Sequence, residues 1–199
     1  HTVGIYTALV KGLSLHFVDA RGGGMNALKN IPQNLVEAES NFLLTVPALT
    51  SNFIQKFQDG IRSKGGLVEK IFKNGVAAGI KRNGDGFRKP GAIVQAETFL
   101  PYFLAEKLIF KKLRQVFGPK IEFFVGGGAL LDIKQQQFYK AIGIPVYQGY
   151  GLTEATPIIS TNTPFDHKMG TSGRVLDGID CRICDDAGKE LPRGEKGEI

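Results

Sequence analysis

The sequence predicts an α/β fold: a parallel sheet flanked by helices, with the start of a small β-rich subdomain at the C-terminal end. Three observations carry that expectation. Short apolar runs of strand length alternate with longer segments whose apolar residues recur at helical spacing. Glycine-rich loops follow two of the strand-like runs, at Gly126-Gly127-Gly128-Ala129 and Gly149-Tyr150-Gly151. After Thr163 the pattern changes to short runs and turns at Gly170, Gly173, Gly178 and Asp186-Ala187-Gly188. Residues 1–163 are therefore read as one α/β unit and 164–199 as the beginning of a second. Strands separated by helices imply parallel pairing through right-handed crossovers and a sheet covered on both faces. Ligands of such sheets bind beyond the carboxyl ends of the strands.

Taken in order, Thr2 to Val10 reads as a short helix stopped by Gly12, and Leu13-Ser14-Leu15-His16-Phe17-Val18 as a strand. After the flexible Arg21-Gly22-Gly23-Gly24, Pro32 suits the first turn of a helix running through Glu39. Phe42-Leu43-Leu44-Thr45-Val46 is a strand, and Pro47 opens a helix carrying Leu49, Phe53 and Phe57. Gly65-Gly66 breaks the chain before a helical face of Leu67, Val68, Ile71, Phe72, Val76 and Ile80. Loops follow at Asn83-Gly84-Asp85-Gly86 and Lys89-Pro90-Gly91. A long helix then presents Leu100, Phe103, Leu104, Leu108, Leu113 and Phe117, and Gly118-Pro119 stops it. Strand 121–125, helix 132–142 and strand 144–148 complete the pattern.

Composition bounds the function. The 199 residues are 42% hydrophobic and 22% charged, enough apolar content to exclude a disordered tail. No apolar run approaches the roughly 20 residues that span a bilayer, and no signal-peptide pattern is visible. The chain opens on His1 and closes on Glu198-Ile199 as if within a strand, so it is expected to be part of a longer protein. The formal charge of +6 is uneven: Lys56 to Lys120 holds 14 basic and 5 acidic residues, a net +9. No nucleic-acid reading motif accompanies these bases, so no nucleic-acid partner is expected. Solvated helix faces are the first explanation, and peripheral contact with an anionic membrane surface the second. Cys181 and Cys184 form a CxxC with no second ligand pair, and residues 178–185 read as a strand that would point the sulfurs to opposite faces. Two free thiols agree with a reducing cytoplasm.

No Walker A, GxGxxG or GxSxG pattern occurs, and Gly170-Thr171-Ser172-Gly173 lacks a strand-to-helix context. Gly126-Gly127-Gly128 follows an apolar run, and absent side chains let backbone approach a flat ligand. A tight turn alone would explain it equally well. Tyr150, Thr153 and Glu154 add an aromatic face, a hydroxyl and a carboxylate within five residues. An aromatic can stack on a base, and a carboxylate beside phosphates suits Mg²⁺.

At this point a resemblance becomes specific. Tyr147-Gln148-Gly149-Tyr150-Gly151-Leu152-Thr153-Glu154 resembles the YGxTE motif of the AMP-forming acyl-CoA synthetases, an adenylating superfamily. Upstream, Phe123 through Leu130 is similar to that family's GGAPL segment, with Gly128-Ala129 in place of its alanine-proline. Gly170 through Arg174, Gly178-Ile179-Asp180 and Gly194 through Ile199 resemble its following motifs, and His1-Thr2-Val3-Gly4 an earlier one. The helical stretch from Ser63 to Gly118 is most like the long-chain fatty-acid members.

The resemblance implies the central part of a large N-terminal domain, with ATP, Mg²⁺ and CoA as cofactor and co-substrates. Tyr150 would stack on adenine, with backbone from Gly127, Gly128 and Ala129 around it. Gln148, Gly149 and Gly151 would floor the site shared by AMP and the acyl carboxylate, and His1 would stand at the acyl pocket with Gly149. Thr153 would bond the α-phosphate and Glu154 would hold Mg²⁺. The family's phosphate loop, ribose-binding aspartate and catalytic lysine have no counterpart in these 199 residues, so the chain alone is expected to be inactive. The implied reaction joins a fatty acid to CoA through an acyl-adenylate. A ligase that loads a carrier protein, or a non-catalytic scaffold relative, is the alternative.

Overall fold

Strands β1 (Phe42–Thr45), β2 (Phe123–Gly126), β3 (Val146–Gly151), β4 (Ile158–Thr161) and β5 (Arg174–Val175) pair in chain order into one sheet. The computed structural model describes residues 2–21, 23–155 and 157–199, with the side chains of residues 2 and 25–28 outside that description. β1, β2 and β3 are parallel, in a register that sets Phe124 against Val146 and Gly126 against Gln148. β4 and β5 then return antiparallel, so the sheet is mixed. β3 starts later than the apolar run suggested and carries the Tyr147–Gly151 motif as strand.

Helices flank the sheet unevenly. Side chains alternate across a strand, so Phe124 and Val146 share one face. That face is covered by α2 (Gly24–Ala38), α3 (Pro47–Arg62), α4 (Gly66–Asn83) and α8 (Ile133–Ala141), whose Leu35, Phe53, Phe72 and Phe138 join Phe124 in one core. An aromatic chain runs through it, edge-to-face around Phe117 and tilted between Phe124 and Tyr139. Phe117 meets Phe53 at 4.8 Å and Phe124 at 5.0 Å, and Phe124 meets Tyr139 at 5.3 Å. Such pairs add about 0.5–1.5 kcal/mol each beyond their buried area. The opposite face carries Phe42 stacked on Phe123 at 5.6 Å and is half open.

Proline at the first position of α3 has no N–H to waste there, which matches its sequence reading. In α4, Gly75 and Gly79 are buried because neighbouring helices come too near for side chains. A Cβ on Gly75 would overlap Ala105, and one on Gly79 would lie 2.8 Å from the Ala141 Cβ. Leu67, expected on the buried face of α4, is exposed.

Four expectations are corrected. Residues 13–18 form no strand: among the described residues no strand pairs with them, and Leu13, Leu15 and Phe17 are exposed. The adjoining Asp19 is instead held by α2, its N–H donating to Asn34 Oδ1 at 3.0 Å and its carbonyl accepting from Asn30 Nδ2 at 3.0 Å. α2 begins at Gly24, which places Pro32 inside the helix rather than in its first turn. The long helix is built from α5 (Ala92–Glu97), α6 (Phe99–Ala105), a π-helical turn (Glu106–Phe110) and α7 (Lys111–Gln115). It buries Ala105, Ile109 and Phe110; of the expected face, Phe117 just beyond α7 is buried and Leu113 half-buried, while Leu100, Phe103, Leu104 and Leu108 are exposed. Finally, residues 178–185 are irregular apart from isolated bridges at Cys184 to Glu190 and Glu198, and both cysteines are free and half-buried.

His167 lies 5% exposed with its ring edge-on to Tyr147 at 5.0 Å, and neither ring nitrogen meets a described hydrogen-bond partner. Burial, helped by the Lys140 charge, pulls its pKa from 6.5 down to about 4. The folded state therefore holds His167 neutral where the unfolded chain would protonate it. Its contribution is fully present above pH 6.5 and is lost as pH falls from there toward 4. Replacing His167 by Phe should flatten this component, so that the melting temperature of wild type falls more steeply than that of His167→Phe between pH 6.5 and 4. Parallel melting curves over that range would contradict the assignment.

Candidate functional site

The carboxyl ends of β1, β2 and β3 emerge at one edge, as parallel pairing requires. The loop after β2 starts with the Gly127 N–H donating to the Thr45 carbonyl at 3.3 Å and ends at the buried Leu131. Gly128 has φ +76°, a conformation that favours glycine, while a Cβ on Gly127 would have no atom within 4 Å. Nothing in the described protein requires Gly127 to be bare, so the open space at this position faces outward from the fold.

β3 delivers its motif beside this loop. Gly149 pairs with Thr161 and Tyr150 with Ser160, and the register shifts between Tyr150 and Gly151. At that irregularity a Cβ on Gly151 would overlap the Pro157 carbonyl oxygen, so only glycine fits. Tyr150 is 40% exposed, presenting its ring at the sheet edge. Thr153 and Glu154 open the 3-10 turn Thr153–Ala155 directly after β3, and both are exposed. Glu154 forms no ion pair with a described residue.

Gln148 behaves differently from its neighbours. It is 3% exposed, and its Oε1 accepts from the Leu131 N–H at 2.9 Å, on the core side of the sheet. Its side chain is thus occupied in holding the glycine loop, and it can border a ligand only through main chain. The structure brings Gly127, Gly128, Ala129, Gln148, Gly149, Tyr150, Gly151, Thr153 and Glu154 to one end of the sheet. His1 lies outside the described residues.

Two polar residues of this region escape sequence reasoning. Gln136 and Asn162 are 1% and 3% exposed and hydrogen-bonded to the motif strand and its loop. Gln136 is the middle of three consecutive glutamines, so no periodic signal marks it as the buried one. Asn162 follows β4 in a polar stretch that reads as surface loop.

An exposed hard carboxylate next to a hydroxyl and a glycine loop has the donor chemistry Mg²⁺ takes beside phosphates, where one or two carboxylates suffice. Among the described residues no group of three or more His, Cys, Asp or Glu side chains gathers to hold a metal by protein ligands alone.

This fold is that of the adenylate-forming CoA ligases. The chain aligns over 92% of its length with the anthranilate CoA ligase AuaEII solved with anthranoyl-AMP, at TM-score 0.50 and 16% identity, covering 24% of that protein. It aligns over its full length with O-succinylbenzoate coenzyme A synthetase of Bacillus subtilis solved with ATP and magnesium, at TM-score 0.50 and 16% identity, covering 30%. The AMP-binding enzyme family model matches residues 1–199, and the chain belongs to that family.

Curated relatives carry fatty-acid names. The chloroplastic long-chain-fatty-acid–[acyl-carrier-protein] ligase AEE15 of Arabidopsis thaliana is 36% identical over 54% of this chain and 15% of its own length. Long-chain-fatty-acid–CoA ligase FadD15 of Mycobacterium tuberculosis is 33% identical over 53% of the chain and 17% of its own. Long-chain-fatty-acid–CoA ligase ACSBG1 of Rattus norvegicus is 25% identical over 90% of the chain and 23% of its own. The chain thus spans less than a quarter of the length of each of these three relatives.

Proposed function

We propose that this chain is the nucleotide- and acyl-site portion of an ATP-dependent long-chain fatty acid–CoA ligase. The observation that carries the reading is the placement of an exposed Glu154, with no ion pair to a described residue, directly beyond β3, beside Tyr150 and the Gly127–Ala129 loop. The fatty-acid names of the relatives support the substrate class. On this reading the fatty carboxylate oxygen attacks the α-phosphorus of ATP, the bond to pyrophosphate breaks, and acyl-AMP forms. The CoA thiol then bonds to the acyl carbon and AMP departs. Tyr150 stacks on adenine for about 1–3 kcal/mol, and the Gly127–Ala129 backbone lies along the base. Thr153 donates its hydroxyl to the α-phosphate. Glu154 would hold Mg²⁺, which would supply neutralisation of the phosphate charge. His1 and Gly149 border the acyl chain. Loading of an acyl carrier protein instead of CoA is the second reading, favoured by the name of the Arabidopsis relative.

Fatty-acid-dependent ATP–pyrophosphate exchange by the full-length enzyme tests this. Glu154→Gln keeps size and removes charge, so exchange should drop about 10²–10³-fold with unchanged melting. Thioester yield with CoA against that with a carrier protein separates the two acceptors, and the isolated 199 residues should form no thioester. Near-parental exchange by folded Glu154→Gln would remove the metal role.

We also propose peripheral contact with anionic membrane, where a fatty substrate partitions, on the outside of a cytoplasmic enzyme. No helix among the described residues is long and apolar enough to cross a membrane. Exposed Ile93, Phe99, Leu100, Phe103, Leu104 and Leu108 instead form an apolar surface on α5, α6 and the π-helical turn, adjoining Lys107, Lys111 and Lys112. Each basic residue near such a lipid surface contributes about 1 kcal/mol, screened by salt. The full-length protein should bind vesicles containing phosphatidylserine at low salt, and Lys111→Glu with Lys112→Glu should release it. Absent binding, or binding indifferent to the charge reversal, would leave this face to solvent or to other parts of the protein.

A further inference from the structure

Between the glycine loop and the core lies a cluster of three buried amide side chains. Gln136, on α8, is hydrogen-bonded through both its amide nitrogen and its amide oxygen. Its Nε2 donates to the Leu131 carbonyl at 3.0 Å and to Gln148 Oε1 at 3.3 Å, while its Oε1 accepts from the Gly170 N–H at 3.1 Å. Gln148 Oε1 also takes the Leu131 N–H at 2.9 Å, and its Nε2 approaches the Ala129 carbonyl at 3.5 Å. Asn162 Nδ2 donates to the Gln148 carbonyl at 2.9 Å and the Thr171 carbonyl at 2.8 Å, and Oδ1 accepts from the Lys168 N–H at 3.0 Å. Exchanging oxygen and nitrogen on Gln136 would set donor against donor at Gly170, so its orientation is fixed by its partners.

The consequence falls on the loop. Its first residue is tied by the Gly127 N–H to Thr45, and at its other end both the N–H and the carbonyl of Leu131 are taken by side chains of other elements. Gly128, Ala129 and Leu130, between those anchors, are exposed. Loop 127–131 contains no helix or strand to hold its shape, so the distance it keeps from β3 is set by these anchors. Gln136 joins three segments at once: the loop exit, β3 at Gln148, and the turn at Gly170.

We infer that Gln136 is a positioning residue for the nucleotide: it sets the separation between the Gly127–Ala129 backbone and Tyr150, and so the width of the slot that receives the adenine. The inference rests on the proposed nucleotide role of those residues. Thr153 and Glu154 follow β3 on their own turn and are not tied to Gln136, so disturbing it should affect base binding selectively.

The test is equilibrium binding of ATP and, separately, of a long-chain fatty acid to the full-length protein and two variants. Gln136→Leu leaves the Leu131 carbonyl and Gly170 N–H without their partner. Gln136→Glu retains an acceptor for Gly170 but turns a carboxylate oxygen toward the Leu131 carbonyl and Gln148 Oε1. Both should weaken ATP binding about tenfold or more and leave fatty-acid binding within twofold, and Gln136→Leu should raise hydrogen exchange at the Gly170 amide, whose acceptor it removes. If Gln136→Leu does not fold, Gln136→Glu carries the comparison. Parental ATP affinity in a folded variant, or equal losses for ATP and fatty acid, would overturn the positioning role. A parent that binds no ATP would overturn the nucleotide reading itself, a result distinguishable from variants that bind as well as their parent.

Discussion

Burial of Phe124 is the constraint on which the site depends. Its ring is fully enclosed between Phe117 and Tyr139, so β2 can present only that side chain to the helices. A slip of one residue would turn Phe124 outward and bring Phe123 in, exchanging the faces of every residue in the strand. With Phe124 fixed, parallel pairing sets Gly126 against Gln148. Gln148 then falls on the core side, where Gln136 waits, and Tyr147 falls on the other, against Phe123 and His167. The glycine loop and the motif strand are neighbours because an aromatic core beneath them admits one register.

The glycines of the site answer to different demands. Gly151 is required by the protein itself, because β4 passes so near that a side chain would collide with the Pro157 carbonyl, and Gly173 is squeezed in the same way by Thr161. Gly128 is required by its positive φ. Gly127 answers to neither: a Cβ there would meet open space. The neighbouring amides of α8 have a comparable division. Gln135 spends its side chain on helix packing, with Oε1 accepting from Thr50 Oγ1 and Nε2 donating to Ser51 Oγ, both at 2.8 Å. Gln136, one position along, turns toward the loop. Left unpaired, the buried Gln136 amide would cost more than its hydrogen bonds return, and both amides are hydrogen-bonded through oxygen and nitrogen.

Much of this was legible before the structure. β1, α3 and α8 follow from apolar spacing and from a proline placed where a helix begins, and the site cluster follows from the motif order. What escaped has physical causes. Residues 13–18 have the composition of a strand, but a strand exists only with a partner, and two asparagines of α2 hold the backbone of the adjoining Asp19. The long helix is apolar on two sides, so periodicity could not say which one met the core; small Ala105, nested against Gly75, decided it. Gln136 was hidden because buried amides are chosen by geometry across the fold, which spacing along a chain does not encode.

The central claim is that adenine lies between Tyr150 and the Gly127–Ala129 loop. Photolabelling of the full-length protein with 8-azido-ATP, followed by mapping of the modified peptides, tests it most directly. The account predicts label on the segments holding Gly127–Leu131 or Tyr150, competed by ATP. Competable label confined to other parts of the protein, with both segments unmodified, would contradict it.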